Sequence, residues 1–505
     1  MRFSVQAATA VAMWSAIVAA DVPGAPDWLG GSCSKSKELA AFAKKLSASA
    51  LIYFPGSDGF ETASTRWSNL ETPKVDMVVS PGTEKDVSET IKFANRKEVP
   101  FLAFNTAHGA LTTLGRMTHG IEIFLDQLSG VEVSEDGKTA TIGGGTGSKV
   151  VTDSLWAAGK QTVTGTCECV SYLGPLLGGG HGWLQGHHGL IADQVVSFNI
   201  VLADGTLQTV TADSELWWAL KGAGHNFGVI TSVISKVYDI VHTDWAIETI
   251  VFNGDRVEEV YDAINKYHLR NGSQPVDLIN WSYWFNNPHV DPEGPIIEVY
   301  IIQEGVTAVD PQYTTPFHAL EPLDIRPDNG TYHDLGGWVG IALDNFPCQK
   351  IGLNNPRFPI YTKSYDPATM RRVYDRYKEA TLSEPAFFDS LFMFEGYSNA
   401  GVRAIDADST AFAYRDDNLL FAPLISYMST GPELDAKAGA LGNELRQILH
   451  EGTGREELHA YVNYAFGDEK PENWYGHEQW RKEKLLALKT KYDQEGKFSF
   501  YAPVA

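Results

Sequence analysis

The sequence contains little cysteine. Its 505 residues include four cysteines, Cys33, Cys167, Cys169 and Cys348. So few cysteines exclude the disulfide framework of a small secreted scaffold. The Cys-x-Cys pair also lacks the further Cys or His partners of a structural zinc site, so we expect no metal. Two interpretations stay open: one disulfide forms among the four cysteines, or Cys167 or Cys169 is reserved for chemistry.

Basic residues are also scarce. The chain has 40 Lys and Arg against 63 Asp and Glu, a formal net charge of −23. A nucleic-acid-binding protein needs a dense basic face to neutralise phosphates, and no block of Lys and Arg provides one. An acidic surface fits a protein that acts on neutral or cationic small molecules. The length predicts two or three folding units.

A long apolar run occurs only at the N-terminus. Arg2 precedes an apolar stretch that ends in Val18-Ala19-Ala20. Small side chains before a presumed cut at Ala20 are typical of a secretory signal peptide, residues 1–20. A membrane anchor is the alternative, but the apolar core is short for a span of about 20 residues.

Three N-x-S/T sequons follow the N-terminal segment, at Asn271, Asn280 and Asn329. A sequon is an acceptor for N-glycans only in a chain that enters the secretory route. Together with the signal peptide they predict a secreted protein with glycans at these positions.

The residue pattern predicts mixed helices and strands. Thr83 and Asp86 begin a predicted helix as a capping box, and Asp136-Gly137 and Asp204-Gly205 are typical hairpin turns. After about residue 243 glycine loops become rare and aromatic residues increase. We therefore predict one domain over 21–243, with its core at 73–243, a second over 244–455, and a C-terminal segment over 456–505.

Four glycine-rich loops lie in the first domain, near Gly109, at 143–147, at 174–182 and at 222–228. Glycine lets backbone N–H groups approach an anion, so the four together favour a large phosphate-bearing ligand over tight turns alone. None of the loops has the Rossmann or P-loop spacing. A dinucleotide must therefore be held in another way.

The motifs carry a resemblance to a known family. They include Pro81-x-Thr-x-x-Asp, His108-Gly, Gly165-x-Cys, Gly174-x-x-x-Gly-Gly-Gly-x-Gly182, Gly189-Leu-x-x-Asp193, Leu216-Trp-Trp-Ala-Leu, Gly222-Ala-Gly-x-Asn-Phe-Gly228 and Tyr461-x-Asn-Tyr464. In these residues the chain resembles the berberine-bridge-enzyme-like FAD-linked oxidoreductases of the vanillyl-alcohol oxidase superfamily, fungal type. The resemblance covers about residues 50–505.

The resemblance implies an α+β fold: a two-part FAD-binding domain of the PCMH type and an α+β substrate domain with an antiparallel sheet. It implies FAD attached by two bonds, to His108 and to Cys167. Further FAD contacts are implied at Thr106, Ala107, Gly109, Gly174, Gly178, Gly179, Gly180, Gly182, Asp193, Gly224, Asn226, Gly228, Val229 and Asn463. The chain departs from the family at Thr106-Ala107, where Gly-Gly is usual, and at His188, where Tyr is frequent.

The resemblance also implies a secreted oxidase that transfers hydride from a small organic substrate to FAD, with O₂ as acceptor giving H₂O₂. Tyr461 is our first candidate for the base and Tyr464 the second, with Glu395 and Tyr397 ranked below. The expected substrate is a secondary metabolite; a carbohydrate is the alternative. A redox-neutral cyclase that uses FAD as a scaffold is the alternative of another class. The sequence does not identify the substrate, the oligomeric state or a disulfide pairing.

Overall fold

The computed structural model describes residues 23–505, with the exception of residues 31, 271 and 273. The predicted signal peptide, 1–20, and the sequon at Asn271 lie outside the described residues. Among the helices described, none is long and apolar enough to cross a membrane.

Two sheets form the N-terminal half. The first has the order β1-β2-β4-β3, with β4 parallel to both β2 and β3. Its strands are Leu51–Tyr53, Met77–Ser80, Phe101–Phe104 and Ile121–Phe124 (β1–β4). The second sheet is antiparallel, with the order β5-β6-β10-β8-β9. Its strands are Val131–Val133, Thr139–Gly143, Val195–Val201, Leu207–Val210 and Val229–Lys236 (β5, β6, β8, β9 and β10); a separate small ladder pairs Lys160–Gln161 (β7) with Tyr238–Asp239 (β11).

A seven-stranded antiparallel sheet forms the second half, with the order β15-β12-β14-β13-β17-β18-β16. Its strands are Trp245–Phe252, Leu278–Asn286, Pro295–Glu304, Asp324–Gly330, Ile360–Thr362, Leu391–Gly396 and Leu419–Leu424 (β12–β18). One face of this sheet packs on helices, and the other turns towards the N-terminal half. Mixed helices with antiparallel sheets confirm the predicted α+β class.

The helices vary from single turns to long amphipathic elements. They are Ser32–Ala43, Asp58–Ser64, Glu84–Arg96, Ser148–Ala157, Leu173–Leu177, Gln185–His188, Leu216–Leu220, Val257–Ala263, Pro311–His318, Leu335–Trp338, Pro367–Ser383, Ala400–Arg403, Pro432–Thr453, Pro471–Tyr475 and Gln479–Tyr492 (α1–α15), with a π-helical turn at Ile264–Leu269. The predicted capping box starts α3: the Thr83 side chain accepts from Asp86 N–H, and the Asp86 carboxylate accepts from Thr83 N–H.

The C-terminal segment returns to the N-terminal half. The Asn226 side chain donates to the carbonyl of Ala502 at 3.1 Å and accepts from the amide of Val504 at 3.0 Å. Lys489 on α15 donates to the carbonyl of Asn226 at 3.0 Å. These bonds hold the chain end beside the strands that the first half contributes to the site.

The sequons differ in their environment. Asn280 lies inside β13, is 1 % exposed, and donates its amide to Gln274 at 2.8 Å. A glycan has no room there, so the predicted glycan at Asn280 is wrong: the sequon fell on a strand buried on both faces. Asn329 is exposed on the edge strand β15.

Candidate active site

A large cavity lies between the two halves. It spans about 1920 Å³, counting the part open to solvent. The N-terminal half contributes the loops after β3 and before α5, and the seven-stranded sheet contributes Trp281, Tyr283, Met393 and Glu395. The cavity can therefore hold an extended ligand along the N-terminal half and a second molecule between that ligand and the sheet.

The amides of the loop after β3 lack partners within the described chain. None of the amides of residues 106–109 donates to an acceptor in the described part of the chain. Ala107 adopts a left-handed conformation, with φ of 56°, which L-residues with a side chain seldom do. Its carbonyl is fixed by the amide of Trp67 at 3.1 Å. Unpartnered amides in residues that line the cavity can hold an anion, which is what the sequence predicted at this loop.

His108 is held in one orientation. Its ring stacks on Trp67, with centroids 4.3 Å apart, and its Nε2 lies 3.0 Å from the carbonyl of Pro347. A carbonyl can only accept, so Nε2 carries the hydrogen and Nδ1 keeps its lone pair. Burial, and after it the positive charge of Arg357, lowers the pKa of His108 to about 3. The imidazole is therefore neutral and nucleophilic at its Nδ1 atom.

Cys167 is a free thiol beside a disulfide. Cys169 and Cys348 are bonded, and the Cys167 Sγ lies 3.3 Å from the sulfur of Cys169. Burial raises the pKa of the Cys167 thiol to about 11. Ligand atoms of His108, Cys167 and Cys169 lie within 4.8 Å of one another, but the bonded Cys169 sulfur is no thiolate. One thiol and one imidazole fall short of the usual zinc set.

A carboxylate in the lining of the cavity is bonded to two tyrosines. Glu395 on β17 is 1 % exposed and accepts from Tyr464 at 2.9 Å and from Tyr397 at 2.8 Å. Burial raises the pKa of Glu395 to about 7, and that of Tyr464 well above its usual value. Such a pair can move a proton near neutral pH: Tyr464 takes one at its Oη while passing its own to Glu395.

Tyr461 lies in a different network. Its hydroxyl oxygen accepts from the amide of His181 at 3.3 Å and from the side chain of Asn463 at 2.8 Å. Burial raises its pKa above the usual value. No carboxylate in the described chain bonds to the hydroxyl of Tyr461, so proton transfer is better supported at Tyr464, the second sequence candidate.

The predicted cofactor residues divide into two groups. Those that line the cavity are Thr106, Ala107, His108, Gly109, Cys167, Gly174, Gly228, Val229 and Asn463. Those that do not are Gly178, Gly179, Gly180, Gly182, Asp193, Gly224 and Asn226. Close packing explains the glycines of the second group: a Cβ at Gly179 would lie 2.5 Å from the Phe412 ring, and one at Gly180 would lie 2.7 Å from Ile191.

The two polar residues of the second group have structural partners. Both oxygens of Asp193 accept from Arg415, at 2.9 Å each, in a buried pair. Asn226 holds the C-terminal segment, as described above. Their motifs therefore serve the site by positioning the loops.

Several cavity residues escaped the sequence reasoning. His181 and His225 occupy the variable positions inside two glycine motifs, and both line the cavity; burial lowers the pKa of each to about 4. Trp67, Arg357 and Tyr501 also contribute to its lining or packing. The histidines could have been found by asking what the glycines surround. The other three lack a local signal because long-range folding brings them to the site.

The residues present fit FAD. Unpartnered amides can hold its phosphates, and an imidazole and a thiol lie together where a flavin ring could be attached.

The chain matches the FAD binding domain family over residues 75–211. It is 60 % identical to the FAD-linked oxidoreductase chyH of Penicillium rubens, over 99 % of either chain.

Solved structures share the fold. Physcomitrella patens BBE-like 1 has a TM-score of 0.77 at 19 % identity, covering 93 % of this chain and 99 % of that one. Xylooligosaccharide oxidase from Myceliophthora thermophila, in complex with xylobiose, has a TM-score of 0.77 at 19 % identity. The match covers 92 % of this chain and 99 % of that one. The predicted fold is thereby confirmed, and it is shared with BBE-like 1. The relative at 60 % identity confirms the resemblance to FAD-linked oxidoreductases: the chain belongs to that family.

Proposed function

We propose that this oxidoreductase is a secreted oxidase that removes a hydride and a proton from a small organic substrate, a secondary metabolite. The observation that carries the proposal is the Tyr464–Glu395 pair, which faces the same cavity as His108 and Cys167. FAD, when bound, supplies the hydride acceptor, and O₂ then takes up two electrons and two protons to give H₂O₂.

The proton path follows from the hydrogen bonds. The substrate O–H or N–H delivers its proton to the Tyr464 Oη, and the Tyr464 proton moves to Glu395 over 2.9 Å. Tyr397 stays bonded to the other oxygen of Glu395, which fixes the carboxylate. A carboxyl with its pKa near 7 both accepts and releases protons at neutral pH.

Two bonds to FAD belong to the proposal, from the Nδ1 of His108 and from the Sγ of Cys167. The support is the lone pair of Nδ1, left free because Nε2 bonds to the Pro347 carbonyl, and the free thiol within 4.8 Å of an imidazole nitrogen. Two attachments would fix the ring towards the sheet and so preorganise hydride transfer.

The sheet wall favours a metabolite over a sugar. Leu391, Met393 and Leu424 line it together with Trp281 and Tyr283. A sugar site needs many polar side chains for the ring hydroxyls, and this wall offers few. We also propose secretion, supported by the apolar N-terminal segment, with a glycan at the exposed Asn329.

Peroxide release over a compound panel tests the proposal. With the compound that gives peroxide, Tyr464→Phe should slow anaerobic flavin reduction by ~10²–10⁴, the usual contribution of an acid–base group. Tyr461→Phe serves as the matched control and should slow it far less. A substrate turned over without peroxide would favour the cyclase alternative, and a larger loss at Tyr461 would restore our first sequence candidate.

A further inference from the structure

Arg357 places a cation in the lining of the cavity. Its backbone pairs with Leu424 at the end of β18, so the side chain comes from the substrate half. The guanidinium carbon lies 4.6 Å from the ring centroid of Trp67 and 4.5 Å from that of Tyr464. The charge therefore stands beside the proposed proton path, between rings from different parts of the chain.

This cation has no anionic partner. Within the described chain, no carboxylate oxygen lies within 4.0 Å of its guanidinium, and no hydrogen bond leaves it. Its Nε is buried and unsatisfied. The fully buried arginines Arg66 and Arg415 are, by contrast, paired with Glu122 and Asp193. Arg357 is half-buried, and a buried donor without a partner is unfavourable, so its free donors favour a partner from outside the chain.

Glu395 does not supply that partner. Both of its oxygens are engaged by tyrosine hydroxyls, and it lies beyond ion-pair distance of Arg357. Arg357 acts on Glu395 only at longer range, where its positive charge opposes the rise that burial causes in the pKa of the carboxyl. The donors of Arg357 stay available to a ligand that enters the cavity.

We propose that Arg357 binds the substrate through an anionic group, and that the substrate is an apolar, aromatic-type carboxylic acid. The inference rests on the proposed function and names the substrate class of the same site. The guanidinium fork matches a carboxylate in shape and charge, and Trp281, Tyr283 and Met393 accept the apolar part. The net charge of −23 favours neutral or cationic ligands at the surface, but inside the cavity the nearby positive charge of Arg357 favours an anionic group.

Ligand binding to the oxidised, flavin-loaded protein tests this directly. Benzoate and acetophenone have the same shape, and only benzoate carries a charge. Binding is followed by the change in flavin absorbance. We expect the dissociation constant of benzoate to be at least tenfold lower than that of acetophenone. Arg357→Gln should weaken benzoate by about 10- to 100-fold, the range of a charge-assisted hydrogen bond, and acetophenone by less than about threefold.

Two further variants keep the test decisive. Arg357→Lys keeps the positive charge but removes the paired donors of the guanidinium, so its affinity for benzoate should fall about three- to tenfold. This variant gives a result even if Arg357→Gln folds poorly. Arg372→Gln removes an exposed arginine and should change neither affinity. Equal binding of both probes by the parent protein overturns the inference. So does an equal loss of both in Arg357→Gln, because Arg357 would then act through the flavin or the fold. No turnover is involved, so failure of the oxidase proposal would be seen separately, in the peroxide assay.

Discussion

Glu395→Gln should change how stability depends on pH. Burial raises the pKa of the Glu395 carboxyl in the folded chain from 4.5 to about 7. A raised folded pKa means that the folded state binds the proton more tightly than the unfolded state. The resulting stabilisation is complete below pH 4.5 and is lost as the pH rises through 7.

The magnitude follows from the shift. A rise of about 2.5 pKa units, at about 1.36 kcal/mol each, gives about 3 kcal/mol. The free energy of unfolding of Glu395→Gln, relative to the parent protein, should therefore increase by about 3 kcal/mol between pH 4.5 and pH 8. The rise belongs to the ionisation alone, since the lost or changed hydrogen bonds contribute equally at both values.

Denaturant unfolding of the flavin-loaded protein at several pH values measures this difference. Glu379→Gln, which removes a carboxyl that is 72 % exposed, serves as the surface control. A flat difference between Glu395→Gln and the parent protein would show that Glu395 ionises as freely as in the unfolded chain. The proton path through Tyr464 would then lose its acceptor near neutral pH.

Three other outcomes follow. Ala107→Gly relieves the left-handed strain but removes a buried methyl group and makes the unfolded backbone more flexible, so the free energy of unfolding should change by less than about 1 kcal/mol. Ala107→Val puts a branched side chain in the left-handed conformation and should lower the free energy of unfolding by more than about 2 kcal/mol. Equal losses would contradict the φ of 56°. Cys348→Ser opens a link across 179 residues and should lower the unfolding free energy by about 2–5 kcal/mol. It should also reduce flavin bound at His108, since Pro347 adjoins Cys348; full attachment by peptide mapping would refute that link. Trp67→Leu should leave the flavin bond at Cys167 while weakening that at His108, by the same mapping, because the ring that stacks on the imidazole is removed.

Local signals predicted the elements of the chain well. The helix predicted to begin at Thr83 and Asp86 forms with its capping box, and the hairpin at Asp136-Gly137 joins β5 to β6. Such features depend on neighbours in sequence: a cap, a turn residue, an alternation of apolar and polar side chains. The α+β class followed from the same signals together with the resemblance.

Contacts between distant residues were beyond the sequence. The disulfide Cys169–Cys348 and the pairing of Glu395 with Tyr464 join segments 179 and 69 residues apart. Arg357 has no motif around it, and its partners Trp67 and Tyr464 come from the two ends of the chain. The glycines at 178–182 were expected at the ligand because glycine permits both close ligand approach and close packing, and sequence alone does not separate the two.

The attachment of the flavin tests the central claim most directly, because it reports where FAD lies without any knowledge of the substrate. Acid-precipitated protein should stay yellow, and a digest should contain one flavin joined to two peptides, those with His108 and Cys167. His108→Ala and Cys167→Ala should each keep the flavin on the remaining bond. If acid releases all the yellow colour into the supernatant, both bonds are absent and the account of this site is contradicted.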